Sequence, residues 1–107
     1  MASPCQAEIW WVNLPLPAGR RPGLILTRSD VIPHLTNVTI APLTRTIRGV
    51  DSEVTLSPAH GVPSACAISL DNIATVHQRL LDRRITSLKP DMMTKVFSAI
   101  RFVFAMP

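Results

Sequence analysis

The sequence predicts an α+β fold, a small and mainly antiparallel barrel of short strands followed by one C-terminal helix. Three observations carry that prediction. Short segments rich in β-formers recur along most of the chain, separated by proline and glycine turns. After Pro90 the apolar residues recur at steps of three and four, the period of a helix. The 107 residues suffice for one hydrophobic core and leave no room for a second, so a single domain spanning 1–107 is expected.

Residues 8–14, EIWWVNL, and 22–29, PGLILTRS, read as two strands joined by the turn-rich segment PLPAGRRPG. In a strand Trp10 and Trp11 point to opposite faces, so either is a core residue on its own side, and the other is free for a contact outside the core. Residues 36–44, TNVTIAPLT, put Val38 and Ile40 on one face and Asn37 and Thr39 on the other, the pattern of a half-buried strand. Residues 52–56 repeat that alternation, and 64–70, 73–76 and 82–86 supply three further strands.

The helix beginning near Pro90 places Met93, Val96, Phe97, Ile100, Val103 and Phe104 on one face. Pro90 suits a first helical turn, and Asp91 complements the positive helix end. Lys89 occupies the cap position, where Ser, Thr, Asn or Asp serves better, and Ser87 is the alternative cap.

Composition excludes several classes. With 47% hydrophobic and 17% charged residues and a mean hydropathy of +0.25, the chain is too apolar to be disordered, and the excess suggests a buried partner face. The apolar runs fall far short of the roughly 20 residues of a spanning helix. The N-terminal MASPCQAE lacks a charged region leading into a long apolar stretch, so a cytoplasmic protein without membrane attachment is expected. Cys5 and Cys66 are expected as reduced thiols. Two cysteines and three scattered histidines show none of the paired spacings of zinc sites, so neither metal nor cofactor is expected.

The charge is more informative. The chain carries a net +4, and nine of its eleven cations are arginine. Arginine presents a planar donor fork that matches phosphate oxygens, which favours a polyanionic partner over a surface that merely aids solubility. The stretch GRRPGLILTRSD concentrates this charge at the mouth of a strand, where Arg20 and Arg21 can be either solvated loop residues or a clamp for an anion.

EIWWVNL, GRRPGLILTRSD, TNVTIAPLTRTIRG, SEVTL, SLDNIATV and a helix starting at LKPDMM, in that order, resemble the successive motifs of the MazF/PemK family of toxin ribonucleases. The resemblance runs from about residue 8 to about residue 104. It implies an SH3-like barrel of the CcdB/PemK kind that forms a homodimer. It also implies metal-independent, sequence-specific cleavage of single-stranded RNA, above all mRNA, which would inhibit translation and growth, and a cognate MazE-like antitoxin whose flexible tail fills the RNA groove.

Position by position, the resemblance makes Arg21, before the proline of the family's RP motif, and Thr44, closing its PLT motif, the catalytic pair. The ribose 2′-hydroxyl would attack the adjacent phosphorus in line, giving 2′,3′-cyclic phosphate and 5′-hydroxyl ends. A guanidinium, with an ordinary pKa of about 12.5, costs roughly 7 kcal/mol to deprotonate at neutral pH. Arg21 is therefore read as an electrostatic clamp rather than a general base. His77 is the one histidine worth testing as a base.

Arg20, Arg45, Thr46 and Arg48 flank the pair and are candidate RNA contacts, although each is also acceptable as a solvated residue. Asp71 and Asn72 are read either as contacts to a base edge or as a turn-stabilising pair. Two departures stand out: the connection PLPAGR is shorter than the family's usual glycine-rich loop, and Ser69 stands where some members carry an arginine. Two other functions are compatible with the same barrel. One is a poison of DNA gyrase acting through the apolar C-terminal RFVFAMP, and the other an inactive nucleic-acid-binding module.

Overall fold

The computed structural model describes residues 3–107; Met1 and Ala2, which open the segment lacking a secretory pattern, lie outside the described residues. Seven strands precede one helix: β1 (Glu8–Asn13), β2 (Arg20–Ile25), β3 (Asn37–Thr44), β4 (Glu53–Leu56), β5 (Cys66–Ser69), β6 (Ala74–His77), β7 (Leu81–Ser87) and α1 (Pro90–Val103). Hydrogen-bonded neighbours run β4-β5-β3-β2-β1-β7, all antiparallel, and β6 adds to β3 beside that path. Strands β4 and β7 end the order without joining, so the expected barrel is an open, barrel-like sheet. Among the described residues no helix is long and apolar enough to cross a membrane.

β3 organises this topology. Its first half pairs with β6 through Asn37↔His77 to Ile40↔Ala74, and its last residues pair with β5 through Leu43↔Ile68 and Thr44↔Ala67. The side-chain period of two then divides the interior. Val38 and Ile40 join Val12, Ile25, Ile32 and Val76 in one cluster, whereas Ala41 and Leu43 face a larger cluster beneath α1 that includes Ile9, Leu24, Ile68 and Val96. Gly23 lies where β2 crosses this layer, and a Cβ there would come within 3.0 Å of Ile40 Cδ1.

Three expectations change. β2 starts at Arg20 rather than at residue 22, because Arg20 and Arg21 continue the ladder opposite Asn13 and Val12 of β1. Proline normally opens a strand, yet here Pro22 sits inside one, opposite Trp11. The helix face is also rotated: Met92, Met93, Val96 and Ala99 are buried, whereas Phe97 and Phe104 are exposed at 38% and 59%. α1 packs on β4 and on the 3₁₀ turn Leu70–Asn72, and it is the side bearing Met92, Met93, Val96 and Ala99 that joins the core cluster there. Finally, Ser87 is not the alternative cap but ends β7; Lys89 is the N-cap, as read from the sequence, and its side chain makes no capping bond.

Candidate functional site

The ladder between β2 and β3 pairs Gly23 with Pro42, Leu24 with Ala41 and Ile25 with Ile40. Arg21 and Thr44 lie two residues beyond the Gly23↔Pro42 end of that pairing, Arg21 on β2 and Thr44 on β3, where Thr44 pairs with Ala67 of β5. Two adjacent hollows, of about 390 and 360 Å³, share Arg21, Leu43, Thr44 and Thr46 in their walls. Arg21 and Thr44 thus stand on the ridge between two compartments of one groove.

The hydrogen bonds leave the donors of this ridge available. Arg21 Nε donates to the carbonyl oxygen of Ala18 at 3.2 Å, which anchors the guanidinium by its inner edge and leaves both terminal NH₂ groups to the groove. Thr44 Oγ1 accepts the backbone N–H of Thr46 at 3.1 Å, which occupies a lone pair and leaves the hydroxyl proton to be donated. The pair therefore offers up to three donors to the oxygens of one tetrahedral anion.

The first hollow continues past Trp11, Arg20, Arg45, Ser64 and Cys66. Arg20 is held on three sides: Nη1 lies 2.5 Å from Asp82 Oδ2, 3.5 Å from Asn13 Oδ1, and the guanidinium carbon sits 4.8 Å from the centre of the Trp11 ring. Trp11 thus faces the groove, whereas Trp10 packs against the smaller core cluster and donates Nε1–H to Glu8 Oε1 at 3.0 Å. Cys66 is 6% exposed, and burial pushes its thiol above the ordinary value of 9.0.

Both cysteines are free thiols, and only the thiolate is nucleophilic. At neutral pH iodoacetamide is expected to label the exposed Cys5 in the folded chain and Cys66 only after denaturation; equal labelling of the native protein would contradict this burial. Because the folded pKa is raised, Cys66 contributes stability present below the unfolded pKa and lost as pH rises through the folded value, on the alkaline side of 9.0.

The second hollow continues past Leu14, Arg48, Glu53, Ser69, Asp71 and Asn72. The buried Ser52 donates Oγ–H to Asp71 Oδ2 at 2.5 Å, and Asn72 Nδ2 donates to Ser69 Oγ at 2.7 Å. Asp71 thus ties the 3₁₀ turn Leu70–Asn72 to Ser52 ahead of β4, and Asn72 bonds back to Ser69 at the end of β5. Glu53 Oε1 accepts the backbone N–H groups of Arg48 and Gly49 at 2.9 and 3.3 Å, which holds Arg48 in the hollow's wall.

The structure thus gathers Arg20, Arg21, Thr44, Arg45, Thr46, Arg48, Asp71 and Asn72 along one groove. No histidine lines either hollow. His77 Nδ1 instead accepts the backbone N–H of Arg79, capping the 3₁₀ turn that follows β6. Sequence reasoning missed Asp82, Ser52, Glu53 and the groove side of Cys66. Asp82 lies on β7, distant along the chain from Arg20, and carries no local signal.

The model of the PemK-like, MazF-like toxins of type II toxin–antitoxin systems matches residues 5–104. The chain belongs to that family. Among relatives of this MazF-like toxin, Probable endoribonuclease MazF5 of Mycobacterium tuberculosis is 36% identical over 100 residues, covering 92% of this chain and 91% of the relative. The structure of Mycobacterium tuberculosis toxin MazF-mt6 superposes with a TM-score of 0.87 at 37% identity, covering 94% of this chain and 98% of that one. A mycobacterial endoribonuclease in complex with its cognate antitoxin shares the fold, with a TM-score of 0.86 at 23% identity and 98% coverage of both chains.

Proposed function

We propose that this MazF-like toxin, an endoribonuclease of a type II toxin–antitoxin pair, cuts single-stranded RNA at the ridge formed by Arg21 and Thr44. The observation that carries the reading is that a guanidinium and a hydroxyl with free donors, Arg21 and Thr44, line the same two adjoining hollows. The ribose 2′-hydroxyl attacks the adjacent phosphorus while the 5′-oxygen of the next nucleotide leaves. One nucleoside ends as a 2′,3′-cyclic phosphate and the other as a 5′-hydroxyl.

In that reaction the groove holds the attacking and leaving oxygens in line and stabilises the charge that grows on the non-bridging oxygens. Arg21 binds both of those oxygens through its terminal NH₂ groups, and Thr44 adds a hydroxyl donor. Arg45, Thr46 and Arg48 extend the contacts to neighbouring phosphates. On the second hollow's wall Asp71 accepts a hydrogen bond from a base edge, its carboxylate aimed by Ser52. The partners follow from the family: a MazE-like antitoxin whose tail competes with RNA for this groove, and a second copy of the chain in a homodimer. The site of action is the cytoplasm, on mRNA.

The test is cleavage of a long single-stranded RNA by the purified chain in EDTA, with the new ends mapped. Discrete cuts bearing 5′-hydroxyl and cyclic phosphate ends are expected. No cutting across varied sequences would overturn the reading and turn attention to gyrase, for which the exposed Phe102, Phe104 and Met106 offer an apolar contact.

A further inference from the structure

We infer that Trp11, Arg20 and Asp82 form a platform on which the nucleobase occupying the first hollow stacks, with Asp82 as the residue that positions it. The inference rests on the ribonuclease reading of the groove and concerns how one flank of the cut is recognised.

Its starting point is the difference between Arg20 and the other groove arginines. Among the described residues Arg21, Arg45 and Arg48 form no ion pair, whereas Arg20 Nη1 is 2.5 Å from Asp82 Oδ2. A phosphate approaching Arg20 would meet that carboxylate too, and the like charges would cancel much of the attraction. Arg20 is thus a poor phosphate ligand where it stands.

What remains on offer is its plane. The guanidinium carbon sits 4.8 Å from the Trp11 ring centre, Asn13 lies opposite Arg20 across the β1–β2 ladder, and the Arg20 side chain keeps 42% of its surface exposed. One side of the guanidinium therefore rests on indole while part of its surface stays open. Arginine planes and aromatic rings are the surfaces on which unpaired RNA bases stack. Local charge balance also lowers the penalty of covering the guanidinium with an apolar base.

The two hollows then read RNA by different chemistry. On the Trp11 side the contact is stacking, which tolerates any base and favours those of larger ring area. On the Asp71 side a fixed carboxylate selects a hydrogen-bond donor. Selectivity at the first position should accordingly follow stacking strength, purine over pyrimidine, rather than a donor and acceptor pattern.

The experiment is a cycle of enzyme and substrate changes, using a short single-stranded RNA that contains the mapped cut and the same RNA with an abasic residue at each flanking position in turn. For the wild type, one abasic position is expected to raise KM by about 5- to 100-fold. For Arg20→Ala that same abasic change should have almost no further effect, and Arg20→Lys, which keeps the charge and loses the plane, should behave like Arg20→Ala. Asp82→Asn should raise KM for the intact RNA more than for the abasic one, with thermal unfolding confirming that each variant folds.

The opposite pattern would overturn the proposal. If Arg20→Ala lowers the slope of log KM against log salt by about 0.7 and weakens intact and abasic RNA alike, Arg20 is a phosphate ligand. Faster cleavage of both RNAs by Asp82→Asn would likewise make Asp82 a brake on that ligand. Failure of the ribonuclease reading is distinguishable, since no RNA would then be cut in an Arg21-dependent manner by any of these proteins.

Discussion

Arg21→Ala is expected to lower kcat for RNA cleavage by about 100- to 1,000-fold, the loss typical of removing one donor to the developing charge of a transition state. Its thermal midpoint should stay close to that of the parent, because among the described residues the half-buried side chain makes one hydrogen bond, from Nε to the Ala18 carbonyl oxygen, and no ion pair. Arg21→Lys separates charge from geometry: an ammonium cannot span two non-bridging oxygens as the fork does, so it should recover only part of the loss. Cleavage by Arg21→Ala within a few-fold of the parent rate, with the same cut sites, would remove Arg21 from the mechanism.

Leu24→Ala should have the converse effect. Leu24 is fully buried in the cluster beneath α1, paired with Ala41 on β3 and with Ile9 on β1. Truncation in such a site removes apolar burial and leaves a cavity, at a cost of about 2–5 kcal/mol. At about 4–8 °C per kcal/mol for a domain of this size, the thermal midpoint should fall by about 8–40 °C. Below the transition, kcat should remain within a few-fold of the parent, because Leu24 lines neither hollow. A midpoint shift below 3 °C, measured by circular dichroism, would be incompatible with this packing.

Much of the fold was legible because it is written in local periods. Alternation in TNVTIAPLT identified β3 to within a residue, and the change of period after Pro90 located α1. The edges of elements were less legible. The start of β2 depends on whether Arg20 finds Asn13 across a turn, and the face α1 buries depends on its packing against β4 and the 3₁₀ turn Leu70–Asn72 rather than on the average hydrophobicity of the helix. The four 3₁₀ turns were not anticipated, since three residues are too few to establish a period.

The site divides in the same way. The sequence by itself determined the strands, the helix and the basic, arginine-dominated charge, because each is a matter of residue type and short spacing; Arg21 and Thr44 were singled out by the resemblance of their motifs to those of the family. Only the tertiary structure decided that those two residues line the same two hollows, that Ser52 hydrogen-bonds Asp71, and that Asp82, 62 residues away, pairs with Arg20. The physical reason is that an arginine's character as clamp or platform depends on the field and surfaces around it. Those are supplied by neighbouring strands, and strand pairing is a long-range property that no local pattern encodes.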